Sequence, residues 1–405
     1  MCCVLVRPRE KAKRVETSKL RQWPEYVNLL LPAGSLDRLT WSPGDDATRA
    51  ELYRQLVMNV ALGYILHFQA DPNHPDWAPY LNSLFLLQPN PDDCYLSASI
   101  DGSGAYRLTG ERGTVNILTL DVGRAFLGVP EQPLPKLASY DLDDCPMGPG
   151  GELDILMSAE RPAGYTGAWL RLDPLAERLL LRQRSYDWGN EREARLSIER
   201  VDRFSLKPRL TPGEIGARLE GVLGRYTPWL TKMFLEHQND ILAKGMVNKF
   251  AFHGFAAGLG GQVYWESIFR IATGEALVIE TSLPDQRRYW NVQLNDPLFN
   301  VIEFVHRQSS LNGHQAEIDG DGRFRAVIAL EDPGIANWLD PGDFGEGTVI
   351  GRWFGCSDHP LPRLTRVPVA ELAGHLHPDT PRITPDEREK RLRARARGAQ
   401  LRRRW

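Results

Sequence analysis

Beyond Pro91 the chain breaks into short runs of alternating apolar and polar residues, each bounded by Gly, Pro or Asp. "CYLSASID" alternates, "DGSG" turns the chain, and "AYRLTG" alternates back; "RGTVNILTLDV", "GGELDILMS", "AERLLLRQRSYDW" and "ARLSIERV" follow. Successive strand side chains point to opposite faces, so runs like these build a sheet with one apolar face. Short strands without helices between them pair as antiparallel neighbours, the pattern of a β-sandwich. The texture returns after residue 249 in "QVYWESIFRI", "EALVIETS", "RYWNVQL", "GHQAEID", "GRFRAVIAL" and "TVIGRWFG". The expected fold class is mainly β with helical insertions (α+β): two antiparallel, jelly-roll-like sandwiches joined by helices.

Two segments read as helical. "ATRAELYRQLVMNVALGYILHF" puts Leu52, Leu56, Val60 and Tyr64 at helical spacing and stops at the prolines of "QADPNHPDW". "LTPGEIGARLEGVLGRYTPWLTKMFLEHQNDILAKG" opens with Thr211 as N-cap, Pro212 at the first helical position and Glu214 three residues after the cap. Pro228 disfavours helical geometry at Thr227, so a split into two helices is expected there, with Gly245 as the stop. The expected organisation is a helical segment over 1–90, a first sandwich over 91–205, a helical linker over 206–248, a second sandwich over 249–370 and a basic tail over 371–405.

The two strand-rich regions echo each other. Leu153, Ile155 and Met157 match Phe324, Ala326 and Ile328; Glu160 and Pro162 match Glu331 and Pro333; and Trp169-Leu170 falls on Trp338-Leu339. Upstream, "YLSASIDGSGAYRLTG" resembles "ALVIETSLPDQRRYWNVQL". An internal duplication is the reading. It assigns "ALEDPGIANWLD" mainly to the fold, since a motif present in both halves belongs to the scaffold before it belongs to one active site.

The net charge of −3 leaves no electrostatic footprint for holding nucleic acid. The tail from Arg388 is basic, but it begins among acidic residues and carries no interleaved aromatics before Trp405. A solvated helix is expected, and nucleic acid is not an expected partner. The apolar run in "MCCVLVRPREKAKR" is too short for a signal peptide, and nowhere does the chain approach the roughly eighteen apolar residues of a membrane span. A cytoplasmic location without a membrane partner is expected. The five cysteines are odd in number, Cys2 and Cys3 adjacent and Cys94, Cys145 and Cys356 scattered singly, which fits buried or idle thiols better than disulfides or a zinc set.

"GEALVIE", "YWNVQL", "SSLNGHQAEIDGDGRFRAVI", "EDPGIANWLD" and the closing "GRW" occur in an order and spacing that resemble a bacterial family, domain of unknown function 1214. "NPDDCYLSASID", "YRLTGERG" and "SYDWGNEREARLSIERVD" resemble the segment that precedes this domain in relatives. The resemblance implies a jelly-roll-like sandwich. It implies no activity, cofactor or catalytic residue.

The densest polar constellation is "HRQSSLNGHQAEIDGDG". Ser310 and His314 offer a nucleophile and a base, and Asp340 an acidic group to orient the imidazole. The bland reading is that "SSLNG" is turn chemistry, "DGDG" a tight hairpin, and His314 and Gln315 the start of a strand. "DGDG" lacks the further ligands of a calcium loop. His67, Asp71, His74 and Asp76 match no helical metal spacing, so no metal site is expected. No glycine loop suited to a phosphate is present, and no cofactor is identified.

Aromatics and arginines recur near strand ends: Trp265, Tyr289, Trp290, Trp338, Arg352 and Trp353. Most of these rings are expected in the core. Tyr289 and Trp290 are adjacent in a strand, however, so one must leave its own sheet's core face and meet a helix, the other domain, a subunit or a ligand. The expected function is binding or modifying a small organic ligand, in a pocket of the second sandwich or between domains. Asn312, His314 and Asp340 would supply polar groups, Tyr289, Trp290 or Trp338 an apolar wall, and Arg352 the rim. The alternatives are a hydrolase of glycans or esters using His314 with Ser310 or a nearby carboxylate, and an assembly protein whose aromatics make homo-oligomer contacts.

Overall fold

Among the described residues, each half of the chain folds into a sandwich of nine strands in the same arrangement. The computed structural model describes residues 20–69, 71–80, 89–253 and 258–402; Cys2, Cys3, the N-terminal apolar run and Trp405 lie outside the described residues. The first sandwich comprises β1 (Ala78–Pro79), β2 (Asp93–Ser99), β3 (Tyr106–Glu111), β4 (Ile117–Gly123), β5 (Lys136–Asp141), β6 (Glu152–Ser158), β7 (Ala168–Arg171), β8 (Arg178–Arg184) and β9 (Arg195–Arg200). The second comprises β10 (Ala251–Phe252), β11 (Gln262–Arg270), β12 (Glu275–Ser282), β13 (Arg287–Asn295), β14 (Ser310–Asn312), β15 (Arg323–Ala329), β16 (Trp338–Leu339), β17 (Glu346–Cys356) and β18 (Arg363–Pro368).

Strand order shows the duplication directly. The first half has sheets β1-β2-β8-β4-β5 and β7-β6-β3-β9, and the second has β10-β11-β17-β13-β14 and β16-β15-β12-β18. Adding nine to each strand of one half gives the other. Even the exception repeats: β6–β7 and β15–β16 are parallel among otherwise antiparallel ladders. Trp169 lies opposite Leu156 as Trp338 lies opposite Val327, and the indoles donate to Ser158 Oγ and the Ala329 carbonyl, both at 2.9 Å. The upstream echo needs correction by one hairpin, because β2 corresponds to β11 and β3 to β12. Every strand alternates with the same period, so a sequence comparison can slip by one strand without penalty.

Further expectations fail locally. "GHQAEID" is not a strand, because the Asn312 side chain accepts from the His314 and Gln315 amides and turns the chain, and Asn337 holds the Glu317 backbone on both sides. "SSLNG", conversely, supplies the edge strand β14, and the turn comes after it. "DGDG" makes a tight turn, closed by the Gly322 amide on the Asp319 carbonyl, with Asp319 and Asp321 both bound to Arg325, but no strand precedes it to make a hairpin.

Each sandwich has its own apolar core, around Leu108, Leu120 and Leu181 in the first and Trp265, Phe324 and Trp353 in the second. The outer faces of the two five-stranded sheets turn toward one another, and that seam is polar. Asp92, 2% exposed, accepts from Trp188 (2.8 Å) of the first sandwich and from Tyr289 (2.7 Å), Asn291 (3.3 Å) and Asn312 (2.6 Å) of the second. Arg184 pairs with Asp93 at 2.5 Å, donates to Gln262 across the seam and lies 4.0 Å from the centroid of the Tyr289 ring. Burial would push the Asp93 carboxyl up; the Arg184 guanidinium outweighs it and holds the group below its usual range. The Tyr289–Trp290 argument resolves here: Trp290 fills the second core and Tyr289 meets the other domain.

The helices among the described residues are α1 (Trp23–Asn28), α2 (Asp46–Tyr64), α3 (Pro212–Glu220), α4 (Thr227–Ala243) and α5 (Pro385–Arg402), and α2, α4 and α5 bridge the sandwiches. Met58 and Leu62 of α2, with Leu230, Phe234 and Ile241 of α4, pack with Tyr95 and Leu180 of the first sandwich and Ile268 and Ile350 of the second. Tyr64 is exposed although Leu52 and Leu56 are buried. Four-residue steps outrun the 3.6-residue turn, and the stripe rotates off the packed face.

Pro228 does not split its segment. The Thr211–Glu214 capping box forms as expected, but α3 runs into α4 through a π-helical stretch, Gly221–Tyr226, and Thr227 is helical at φ −60° and ψ −54°. Looser i→i+5 bonding absorbs the missing proline N–H. Gly245 ends the run at φ +68°.

The basic tail forms the expected helix, but one face of it is packed and only the other is solvated. Arg388, Arg395 and Arg402 share one face of α5 at seven-residue spacing. Arg388 binds Asp332 and the Ile335 and Ala336 carbonyls beside the Trp338 ring, and Arg402 donates to the Pro91 and Asp92 carbonyls. The "EDPGIANWLD" corner is thus the seat of a helix that ties the second sandwich to the first.

Two outcomes are expected. Asp92→Asn should lower unfolding stability by on the order of 2–4 kcal/mol, because its amide presents N–H groups to donors already buried; an unchanged urea midpoint would contradict the seam's role. His67, beside Tyr226, is pushed down to about 4 by burial, with Arg225 and Arg218 adding repulsion. The unfolded chain protonates this imidazole near pH 6.5, roughly its free value. The unfolded state therefore binds more protons between those values, and the stabilisation present above pH 6.5 is lost as pH falls toward 4. His67→Gln should show a shallower fall in urea midpoint over that window than wild type, and parallel curves would refute the assignment.

Candidate functional site

A cleft of about 570 Å³ opens where three elements meet: the 187–190 loop after β8, the turn after β14, and α5. That volume suits a small organic ligand. Asp187, Trp188 and Asn190 line it from the first sandwich, Leu311, His314 and Gln315 from the second, and Arg391, Arg395, Arg397 and Leu401 from the helix.

Its electrostatics are unbalanced. Arg391 pairs with Glu317 at 2.8 Å, and His314, half exposed, reaches Asp187 at 3.8 Å. Arg395 donates to the Phe304 carbonyl (2.6 Å), Ser310 Oγ (2.6 Å) and Gln315 Oε1 (3.3 Å), with its guanidinium 4.5 Å from the Trp188 ring centroid. Among the described residues no carboxylate forms an ion pair with Arg395 or with the exposed Arg397. Burial pushes Arg395 down to about 10, the direction expected of a cation with too little counter-charge.

The structure separates the triad considered from sequence. Ser310 is 2% exposed and bound to Arg395, a cation that cannot act as a base. Asp340 is held by Arg307 at 3.0 Å and by the Gly342 amide. His314 faces Asp187. Ser310, His314 and Asp340 thus form no nucleophile–base–orienter chain. Of the other residues, Asn312 and Tyr289 are seam groups on Asp92, and Trp290 is core. Arg352 is 3% exposed and donates to Asn291 and Gln293. Trp338 lies under Arg388 and does not line the cleft. His314 alone among the sequence candidates lines the cleft. The cleft arginines of α5 were missed; for Arg395 the seven-residue spacing with Arg388 and Arg402 was the available signal, hidden by the tail's overall charge.

A second polar cluster also escaped the sequence. His237 on α4, His253 just after β10 and Glu266 on β11 converge, with Glu266 Oε2 3.2 Å from His237 Nε2 and 2.7 Å from His253 Nδ1. His253 Nε2 lies 2.9 Å from Asp240 Oδ2 on α4. Burial would raise the Glu266 carboxyl; the two imidazoles outweigh it and hold the group below its ordinary range. These residues come from three elements and share no motif spacing, so only folding brings them together.

The chain matches no family model and no curated protein. Among solved structures it is similar to an uncharacterized protein from Burkholderia cenocepacia, with 28% identity and a TM-score of 0.76, covering 86% of this chain and 97% of that one. A protein from Vibrio parahaemolyticus gives 13% identity and a TM-score of 0.43, covering 84% of this chain and 100% of that one. The first likeness takes in both sandwiches, so the double-sandwich architecture is shared with the Burkholderia protein.

Proposed function

We propose that the chain binds a small organic anion, a carboxylate or phosphate ester with a flat or apolar body, in the cleft beneath α5. The observation that carries this reading is the guanidinium of Arg395 at the cleft wall, stacked near Trp188 and lacking an ion-pair partner among the described residues. A guanidinium in that state gains most from an anion delivered in desolvated form. Arg397 adds long-range attraction, His314 a switchable donor, and Leu311 with Leu401 an apolar wall. Membership in the 1214 family belongs to this reading, as does a reducing cytoplasm, which fits the free thiols of Cys94, Cys145 and Cys356. No helix among the described residues is long and apolar enough to cross a membrane.

The test is a thermal-shift and calorimetric screen of aromatic and aliphatic carboxylates and phosphate monoesters against their neutral amides and alcohols. A ligand that binds only the folded state raises the melting temperature by mass action. The anions should stabilise and the neutral partners should not. Arg397→Glu, at an exposed position, should weaken binding at least about tenfold, roughly 1.4 kcal/mol, and His314→Ala by less. Equal binding of neutral analogues, or a panel silent for wild type, would overturn the reading.

A further inference from the structure

The duplication supplies a control for every position, and it sets the His237–His253–Glu266 cluster apart from the scaffold. In the first sandwich Ala78 of β1 lies opposite Ser97 of β2; in the second, Ala251 of β10 lies opposite Glu266 of β11. The Tyr80 amide donates to the Tyr95 carbonyl as the His253 amide donates to the Tyr264 carbonyl. Tyr95 and Tyr264 each sit across the ladder from an arginine, Arg182 and Arg352, whose guanidiniums lie 5.6 and 5.4 Å from the ring centroids. The correspondence is therefore residue for residue. Where the first sandwich has Tyr80 and Ser97, the second has His253 and Glu266.

The fold needs neither residue, since the first half closes the same ladder without them. Burying a carboxylate is costly unless it is neutralised, and Glu266 is 1% exposed in a surround that includes the Phe299 ring, 4.8 Å from that of His237. One donor atom from each of His237, His253 and Glu266 lies within 4.8 Å of the other two. Small side-chain adjustments would bring all three to the roughly 2.0–2.2 Å of metal–ligand bonds. Asp240 stands behind His253, bound to the nitrogen that does not face Glu266. A carboxylate there fixes the tautomer and presents the other nitrogen's lone pair inward, the usual support for a ligating histidine.

We infer that His237, His253 and Glu266 form a binding site for a divalent first-row transition-metal ion, with Asp240 as the positioning residue for His253. Two imidazoles and one carboxylate match zinc, cobalt, nickel or ferrous iron, and disfavour magnesium and calcium, which take oxygen-only shells. Three protein ligands leave coordination positions open for water or an exogenous ligand. The site shares no residue with the cleft beneath α5, so its fate is independent of the proposed anion binding.

The experiment titrates chelator-treated full-length protein with Zn²⁺ by calorimetry and with Co²⁺ by visible absorption. One equivalent should bind, and Co²⁺ should develop the ligand-field bands of a low-coordinate nitrogen and oxygen site. Glu266→Ser and His253→Tyr restore the residues of the first sandwich. Each should weaken Zn²⁺ binding at least about a hundredfold, with a circular-dichroism spectrum like that of wild type. Asp240→Asn, at a half-exposed position, should weaken it by about 10–100-fold and displace the Co²⁺ bands, which keeps the inference testable should a buried variant fail to fold. Absence of stoichiometric binding to wild type would overturn the assignment, as would Zn²⁺ affinity unchanged in Glu266→Ser and Asp240→Asn.

Discussion

The carboxylate of Asp92 is the interaction on which the assembly of the two halves depends. It is buried between two sheets whose outer faces would otherwise need water, and it gathers donors from both: Trp188 on one side, Tyr289, Asn291 and Asn312 on the other. A polar seam of this kind holds by geometry more than by burial, since each donor left without its acceptor would carry the full cost of desolvation. That requirement explains why Asn312 and Tyr289, which look like ligand contacts in the sequence, act on the fold. Arg184 extends the same logic, neutralised by Asp93 and reaching across to Gln262.

The helices divide the remaining work. α2 and α4 supply the apolar filling where the sheets diverge, and the π-helical stretch Gly221–Tyr226 carries α3 into α4 without a break. α5 closes the opposite arrangement with charge. Its arginines reach carbonyls and carboxylates at both ends, from Asp332 in the second sandwich to Pro91 and Asp92 in the first. A helix held this way roofs a cleft and brings cations to it. The same packing that stabilises the assembly therefore produces the electropositive wall around Arg395.

Duplication also separates scaffold from specialisation. The Tyr–Arg pairs at Tyr95–Arg182 and Tyr264–Arg352 recur because both ladders are built the same way. His253 and Glu266 depart from their counterparts Tyr80 and Ser97, and a departure that buries a carboxylate asks for a compensating partner. The cleft beneath α5 is likewise asymmetric, since a single terminal helix serves one side of the double sandwich.

By itself the sequence determined the local periods and their punctuation. Alternation marked most of the strands, the Thr211–Glu214 box and Gly245 marked helix ends, and the repeat from Leu153 to Leu170 marked the duplication, because each signal is carried within a few residues of its consequence. The weak points were also local: a period-2 echo cannot count hairpins, and a proline rule cannot foresee a π turn. Tertiary structure alone decided the rest. That Ser310, His314 and Asp340 take separate partners, that α5 packs through Arg388, Arg395 and Arg402, and that His237, His253 and Glu266 meet are all facts of long-range packing. Side chains distant in the chain acquire a shared chemistry only when the fold removes water from between them, and no spacing within one strand or helix records that event.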